Sequence, residues 1–149
     1  MSEQQRVVSA QRVVRASPET VFELIADPAR QPEWDGNDNL AVSAPGHRVR
    51  AIGDTFDTTL TNGAVRRNLV VEFTEARLIA WQPSEVGAAP PGHLWRWEIE
   101  PADDGVAVIH TYDWTDLHDD KREARARATT ADKLRLSIDR LAELAVREH

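Results

Sequence analysis

The chain has 149 residues, no cysteine, a formal net charge of -7 at pH 7 and a pI near 5.2. The acidic balance and the lack of a basic run argue against nucleic acids and anionic membranes as partners, and the missing cysteines exclude disulfides and thiolate chemistry. No stretch approaches the ~20 apolar residues of a membrane span, so we expect one soluble cytoplasmic domain over residues 1–149.

The N-terminal third predicts a strand followed by two short helices. Repeated valines over residues 6–15 indicate the strand. Ser17-Pro18-Glu19 is typical of a helix start, and Asp27-Pro28 ends that helix because the residue before proline resists helical geometry. The segments expected next are a helical turn at 29–34 closed by Asp35-Gly36, a weak strand at 40–43, a loop at Pro45-Gly46 and extended chain at 48–52.

A first β-hairpin is predicted around Asn62-Gly63, a dipeptide that suits a two-residue turn. Such a turn places Leu60 opposite Val65 and produces one face that is apolar except for Arg67. We expect this face to be buried, and it comprises Phe56, Thr58, Leu60, Val65, Arg67, Leu69, Val71 and Phe73. A third strand follows at 77–82 and carries Trp81, and the Pro- and Gly-rich residues 83–92 predict a loop.

A second hairpin is predicted around Asp104-Gly105. Side chains alternate with period two, so its faces stay the same when the register moves by two residues. The inward face is aromatic and holds His93, Trp95, Trp97, Ile99, Val108, His110, Tyr112 and Trp114. The opposite face is mainly charged and polar, which predicts contact with solvent.

Residues 116–148 contain no Gly or Pro and predict one long C-terminal helix, roughly 40 Å in length. Its apolar stripe is Ala-rich at Ala124, Ala128 and Ala131, and larger at Leu134 and beyond. We therefore expect the second half to pack tightly on the sheet and the first half to border a space.

The element order and four motifs resemble the START/Bet v 1-like (SRPBCC) superfamily, and more narrowly its bacterial polyketide cyclase/dehydrase group. The motifs are Ala16-Ser17-Pro18-Glu19-Thr20-Val21-Phe22, Asp27-Pro28-Ala29-Arg30, Pro32-Glu33-Trp34-Asp35-Gly36 and Trp95-Arg96-Trp97-Glu98. The resemblance implies an α+β helix-grip fold, in which a curved antiparallel sheet of about six to seven strands wraps around a long C-terminal helix. Two short helices follow the first strand. It also implies a deep pocket between sheet and helix, in proteins as different as lipid carriers and polyketide aromatase/cyclases.

The inward faces predict an aromatic-walled ligand site, because clustered rings with interleaved polar groups are typical of binding pockets. The predicted ligand-binding residues are Trp34, Phe56, Thr58, Arg67, Leu69, Val71, Trp81, Trp95, Trp97, His110, Tyr112 and Trp114. The alternative is an ordinary core in which the indoles only fill volume.

Two functions stay open. The first is a binder or carrier of a small hydrophobic, ring-bearing molecule. The second is a cyclase-like enzyme in which His110 or Tyr112 moves protons and Arg67 stabilises enolate charge; structural readings of these residues are a core histidine and an arginine that reaches solvent. No metal, nucleotide or nucleophile motif is present, so we expect no metal and no cofactor. A homodimer is one alternative for the oligomeric state.

Overall fold

The computed structural model describes residues 6–34, 40–43 and 48–148, so the turns expected at Asp35-Gly36 and Pro45-Gly46 lie outside the described residues. The elements are β1 (Val7–Val14), α1 (Pro18–Ala26), a 3₁₀ turn (Pro28–Arg30), α2 (Gln31–Trp34), β2 (Leu40–Ser43), β3 (Thr55–Leu60), β4 (Val65–Thr74), β5 (Leu78–Glu85), β6 (Leu94–Ala102), β7 (Gly105–Asp113), α3 (Asp120–Arg127) and α4 (Ala131–Glu148). The strands of the described ranges form one antiparallel sheet in the order β1-β7-β6-β5-β4-β3-β2. This confirms the α+β helix-grip prediction, although the stretch 48–52 is not a strand.

Side-chain caps fix the two short helices where the sequence places them. The Ser17 hydroxyl accepts a hydrogen bond from the Thr20 amide at 3.1 Å and begins α1. The Asp27 carboxylate accepts one from the Ala29 amide and begins the 3₁₀ turn. The Trp34 indole N–H then donates to the Leu24 carbonyl at 2.8 Å, which ties α2 back to α1.

The register of the first hairpin differs by one residue from the prediction. The Leu60 amide donates to the Ala64 carbonyl, so the loop has three residues, and Gly63 closes it at φ +89°. Three-residue loops of this kind use a left-handed residue at their last position, and Gly63 supplies it. A one-residue slip moves the side chains of β4 to opposite faces.

The predicted inward face of β4 is therefore wrong at Val65, Arg67, Leu69 and Val71. Arg67 and Leu69 stand opposite Asp57 and Thr55, which share the outer face of the sheet. Arg66, Asn68 and Val70 turn inward in their place, and the last two are buried. A β-bulge between Val70 and Glu72 leaves Val71 without a partner in β5. The residues after it therefore point to the faces opposite to those that strict alternation would give them. The bulge returns Phe73 to the inner side, where its ring meets Phe22 edge-on at 5.6 Å.

The second hairpin has the predicted faces. Its turn is Asp103-Asp104, so Trp97 stands opposite His110 and Trp95 opposite Tyr112. This register lies two residues from the one expected, and each side chain stays on its face. Gly105 follows the turn at φ +147°, and a Cβ there would lie 2.0 Å from the Val14 carbonyl oxygen of β1.

The predicted single C-terminal helix is two helices, α3 and α4. The helix is interrupted at Thr129 and Thr130. The Thr129 hydroxyl donates a hydrogen bond to the Arg125 carbonyl, and the Thr130 hydroxyl accepts one from the Lys133 amide. Threonine hydroxyls compete with the backbone in this way, and they end one helix and cap the next without Gly or Pro. At about 1.5 Å per residue, the 18 residues of α4 span roughly 27 Å.

Helix α4, which forms the second half of the predicted long helix, covers the core as expected. Leu134, Ile138, Leu141, Ala142 and Ala145 are buried, and the helix packs mainly on β1, with smaller contacts to α1, α2 and β7. Most of these side chains join one apolar cluster with α1 and the inner face of the sheet. A smaller cluster lies under α3 and consists of Tyr112, Trp114, Leu117, Ala126 and Leu134. None of the described helices is both long and apolar enough to cross a membrane.

Candidate ligand-binding site

A cavity of about 490 Å³ lies between the inner face of the sheet and the junction of α3 with α4. Seven of the predicted ligand-binding residues line it: Trp34, Thr58, Trp81, Trp95, Trp97, His110 and Tyr112. Its size is within the range of roughly 300–1,000 Å³ typical of small-molecule sites. Of the three alanines in the Ala-rich stripe, Ala128 lines the cavity, whereas Ala124 and Ala131 are exposed and do not line it.

Two pairs of contacting rings, one stacked and one tilted, form the wall built by β6 and β7. The antiparallel register sets Trp97 against His110, with ring centroids 3.7 Å apart and planes 11° from parallel. Trp95 lies against Tyr112 at 4.2 Å and 34°. Trp34 from α2 meets Trp97 edge-on at 5.1 Å. Each of these rings packs against a neighbouring ring, and together they form a continuous aromatic surface.

His110 is a buried, neutral side chain at the back of this wall. Burial lowers the pKa of its imidazole to about 3, and a backbone hydrogen bond with Leu134 opposes that shift only in part. Within the described residues, neither Nδ1 of His110 nor Nε1 of Trp97 has a hydrogen-bond partner. At neutral pH the imidazole therefore carries no charge and contributes a flat ring to the stack.

Tyr112 and His93 also line the cavity, and their rings meet edge-on at 5.9 Å. Burial raises the pKa of the Tyr112 phenol to about 12, with the charge of Arg125 acting in the opposite direction. Burial lowers the pKa of His93 to about 4, assisted by the positive charges of Arg122 and Arg66. Tyr112 thus keeps its proton at neutral pH and can donate a hydrogen bond, while His93 is uncharged.

A polar patch forms the wall built by β3 and β4. The Asn68 amide donates to the Phe56 carbonyl at 3.1 Å and to the Thr58 hydroxyl at 3.3 Å, and both Asn68 and Thr58 are buried. The sequence prediction missed Asn68 because a two-residue turn assigns it to the outer face. A three-residue loop between β3 and β4 would have assigned Asn68 to the inner face, but the sequence alone did not indicate which loop length applies.

Five of the predicted site residues do not line the cavity: Phe56, Arg67, Leu69, Val71 and Trp114. Phe56 lies behind Trp81 and meets its ring edge-on at 5.3 Å. Arg67 is on the outer face, where it donates to the Asp57 carboxylate at 3.0 and 3.2 Å. That pair lowers the pKa of Asp57 and raises that of Arg67. Trp114 packs under α3, with the Arg6 guanidinium carbon 4.4 Å from its ring centroid.

The remaining lining residues were absent from the predicted set. They are Gln31, Leu60, Arg66, Asn68, Pro83, His93, Arg125, Ala128, Thr129, Lys133 and Ser137. Many of them lie at the α3–α4 junction. The sequence pattern predicted one continuous helix there, so it did not show which of these side chains face the cavity. Within the described ranges, no group of three or more His, Asp or Glu side chains is placed to hold a metal ion.

Solved structures share this fold over nearly the whole chain. Protein MLL2253 from Mesorhizobium loti has a TM-score of 0.71 at 17% identity, covering 97% of this chain and 99% of its own. Protein NE0264 from Nitrosomonas europaea has a TM-score of 0.72 at 14% identity, covering 99% and 98%. The Aha1 dimer from Colwellia psychrerythraea has a TM-score of 0.64 at 17% identity, covering 95% and 96%. Identities this low show the fold alone.

Sequence relatives identify the family. Mycobacterium tuberculosis proteins Rv0088 and MT0096, both described as uncharacterized, are 27% identical over 110 residues, which is 72% of this chain. The chain spans about half the length of these curated relatives, 47% of each. The profile of the family described as polyketide cyclase / dehydrase and lipid transport matches residues 5–146. Since that match covers nearly the entire chain, the protein belongs to the polyketide cyclase/dehydrase and lipid transport family of the START/Bet v 1-like superfamily.

Proposed function

We propose that this protein binds a small hydrophobic, ring-bearing molecule in the cavity and acts as a binder or carrier. The observation that supports this most directly is the aromatic wall of β6 and β7, in which Trp95 and Tyr112 line a space of about 490 Å³. A flat apolar ligand would stack on that wall and bury its surface, at about 25 cal/mol per Å² of apolar area. Asn68, Thr58 and the Tyr112 hydroxyl supply polar groups that would orient it.

Binding is favoured over the cyclase-like alternative by the state of the proposed catalytic groups. A general base needs a pKa near the working pH, and burial holds that of His110 at about 3. The proposed enolate clamp, Arg67, lies on the outer face in an ion pair with Asp57. Tyr112 keeps a pKa of about 12, which suits hydrogen-bond donation to a ligand rather than proton abstraction.

Tryptophan fluorescence tests the proposal. Titration with the neutral probe 2-(2-naphthyl)ethanol should quench the emission saturably and raise the melting temperature, because the ligand binds only the folded state. Trp95→Leu removes the ring nearest Tyr112 and should weaken binding about tenfold.

The matched control is Phe73→Leu, which also removes a partly buried ring but contacts Phe22 in the core, away from the cavity. It should reduce stability and leave affinity within about twofold of the parent protein. Absence of saturable binding in the parent protein, or equal loss of affinity in both variants, would contradict a ligand site at the ring wall.

A further inference from the structure

The charged residues that line the cavity all have the same sign. Arg66 of β4, Arg125 of α3 and Lys133 of α4 border the space, and no Asp or Glu among the described residues lines it. The whole chain has a formal net charge of -7, so this local excess of positive charge opposes the overall balance. A random distribution of the chain's charges would place carboxylates there more often than cations.

The two arginines are not neutralised by carboxylates in the described part of the chain. Over those residues neither Arg66 nor Arg125 takes part in an ion pair, and the side chain of Arg66 makes only a long hydrogen bond of 3.4 Å to the Val65 carbonyl. Their charges also reach the wall of the cavity. The charge of Arg66 helps to lower the pKa of His93, and that of Arg125 acts to lower the pKa of Tyr112.

Three carboxylates that neighbour these arginines in the β4–β5 register or at α3 are paired with other arginines. Glu85 stands opposite Arg66 in the β4–β5 register, but its carboxylate accepts a hydrogen bond from Arg122 at 3.0 Å. On α3, Asp119 also pairs with Arg122. Glu123 pairs with Arg6 at 3.2 Å. These pairings leave the guanidinium groups of Arg66 and Arg125 available to a ligand.

We propose that the ligand is an amphipathic anion, whose apolar body occupies the aromatic wall and whose carboxylate or similar head binds Arg66 and Arg125. This deepens the proposed function and rests on it. A guanidinium group recognises a carboxylate through two parallel charge-assisted hydrogen bonds, and it does so more strongly where the cavity excludes water. The head belongs on the solvent side and the body inside, because Arg125 and Lys133 are exposed while Trp97 and His110 of the ring wall are buried.

Matched probe pairs test the charge requirement by calorimetry at low salt. 2-Naphthylacetic acid is compared with 2-(2-naphthyl)ethanol, and decanoic acid with 1-decanol, so that ring-bearing and acyl anions are distinguished. In at least one pair the acid should bind about tenfold or more tightly than the alcohol, and adding about 0.5 M salt should remove most of that advantage. The pair with the larger acid affinity identifies the preferred body.

Three variants assign the charge to its residues. Arg66→Gln and Arg125→Gln should each weaken acid binding about fivefold to tenfold and leave alcohol binding within about twofold. Arg67→Gln is the control, because it removes the neighbouring arginine of the same strand, which faces the other side of the sheet. It should leave both affinities unchanged.

The outcomes separate this inference from the function on which it rests. Equal binding of acid and alcohol, or equal effects of Arg66→Gln and Arg67→Gln, would overturn the anion site and leave a cavity for neutral hydrophobic molecules. Failure of all four probes to bind would overturn the proposed function as well.

Discussion

At the scale of single residues, His110 shows how an aromatic wall is built from a titratable group. Its imidazole lies 3.7 Å from the Trp97 ring and is buried at 4% exposure. A charged imidazolium in this position would lose its hydration, so the neutral form is strongly preferred. The folded protein therefore favours the uncharged stack over the acid–base chemistry that the residue type suggests.

This preference makes stability depend on pH. The folded pKa of His110, about 3, lies below the unfolded value of ~6.5, so the unfolded chain binds more protons between those values. The free energy of unfolding should therefore fall as the pH drops from ~6 toward ~3, by up to about 1.4 kcal/mol per pH unit from this group. His110→Phe keeps a flat ring on Trp97 and removes that contribution. Between about pH 6.5 and pH 4.5, urea unfolding should show a loss about 2 kcal/mol smaller in the variant than in the parent protein.

The control for this comparison is His118→Phe, since His118 is exposed between β7 and α3. It should retain the full pH dependence of the parent protein. Protonation of carboxylates whose pKa is lowered by arginines, such as Asp57 and Glu75, also destabilises the folded protein as the pH falls. That contribution should be the same in the parent protein and in both variants. Identical losses in the parent protein and His110→Phe would show that His110 is readily protonated in the folded state.

At the scale of elements, alternation predicted one hairpin correctly and the other incorrectly. The β6–β7 hairpin kept its faces because its register differed from the prediction by two residues, and two is the period of a strand. The β3–β4 hairpin differed by one residue, which exchanged Arg67 for Arg66 and Leu69 for Asn68 on the inner face. Asn-Gly serves two-residue and three-residue loops, so the dipeptide located the turn but not its length.

The C-terminal helices illustrate a second limit of sequence patterns. Periodicity correctly predicted the buried side chains Leu134, Ile138 and Leu141. It did not predict the break at Thr129-Thr130, because β-branched residues are only weakly unfavourable in helices and tertiary packing decides whether the helix continues. The cavity lining contributed by Arg125 and Lys133 depends on that break, which is why both residues escaped prediction.

The contact between β1 and the β6–β7 hairpin makes Gly105 hard to replace. Its φ is +147°, and a Cβ would lie 2.0 Å from the Val14 carbonyl oxygen and 3.0 Å from the Arg15 Cα. Both neighbouring groups are backbone, so β1 itself would have to move. Gly105→Ala should therefore reduce the free energy of unfolding by about 3 kcal/mol or more, as measured by urea denaturation.

Gly87→Ala provides the comparison, because Gly87 also has a positive φ of +86° but has no atom within 4 Å of the position that a Cβ would occupy. Only backbone strain should act there, at a cost of about 1 kcal/mol. Equal losses of stability in Gly105→Ala and Gly87→Ala would contradict this prediction. They would show that a Cβ at Gly105 does not clash with the backbone of β1, although the structure puts it 2.0 Å from the Val14 carbonyl oxygen.

At the scale of the whole molecule, the charge around the cavity is positive although the net charge of the chain is negative. The net charge of -7, which argued against nucleic acids as partners, describes the protein as a whole. Folding places Arg66, Arg125 and Lys133 around one cavity and pairs Glu85 and Glu123 with other arginines. The relevant quantity for a small ligand is the charge within about 10 Å of its binding site, because salt screens the more distant groups.

An exposed residue at the edge of the cavity can be replaced by a larger one without disturbing the core. Ala128 follows α3 in ordinary right-handed helical geometry, is exposed and lines the cavity. Ala128→Trp should project an indole across the opening and weaken binding of 2-(2-naphthyl)ethanol about tenfold or more. Because the position is exposed, the free energy of unfolding should change by no more than about 0.5 kcal/mol.

The matched control for the opening is Ala124→Trp, one helical turn earlier on α3, where the side chain is also exposed but does not line the cavity. It should preserve affinity as well as stability, since its indole has solvent rather than the cavity in front of it. Fluorescence titration and urea denaturation of both variants separate occlusion from unfolding. Unchanged affinity in Ala128→Trp would place the route of ligand entry elsewhere than the α3–α4 junction, whereas equal losses in both variants would indicate a general perturbation of α3.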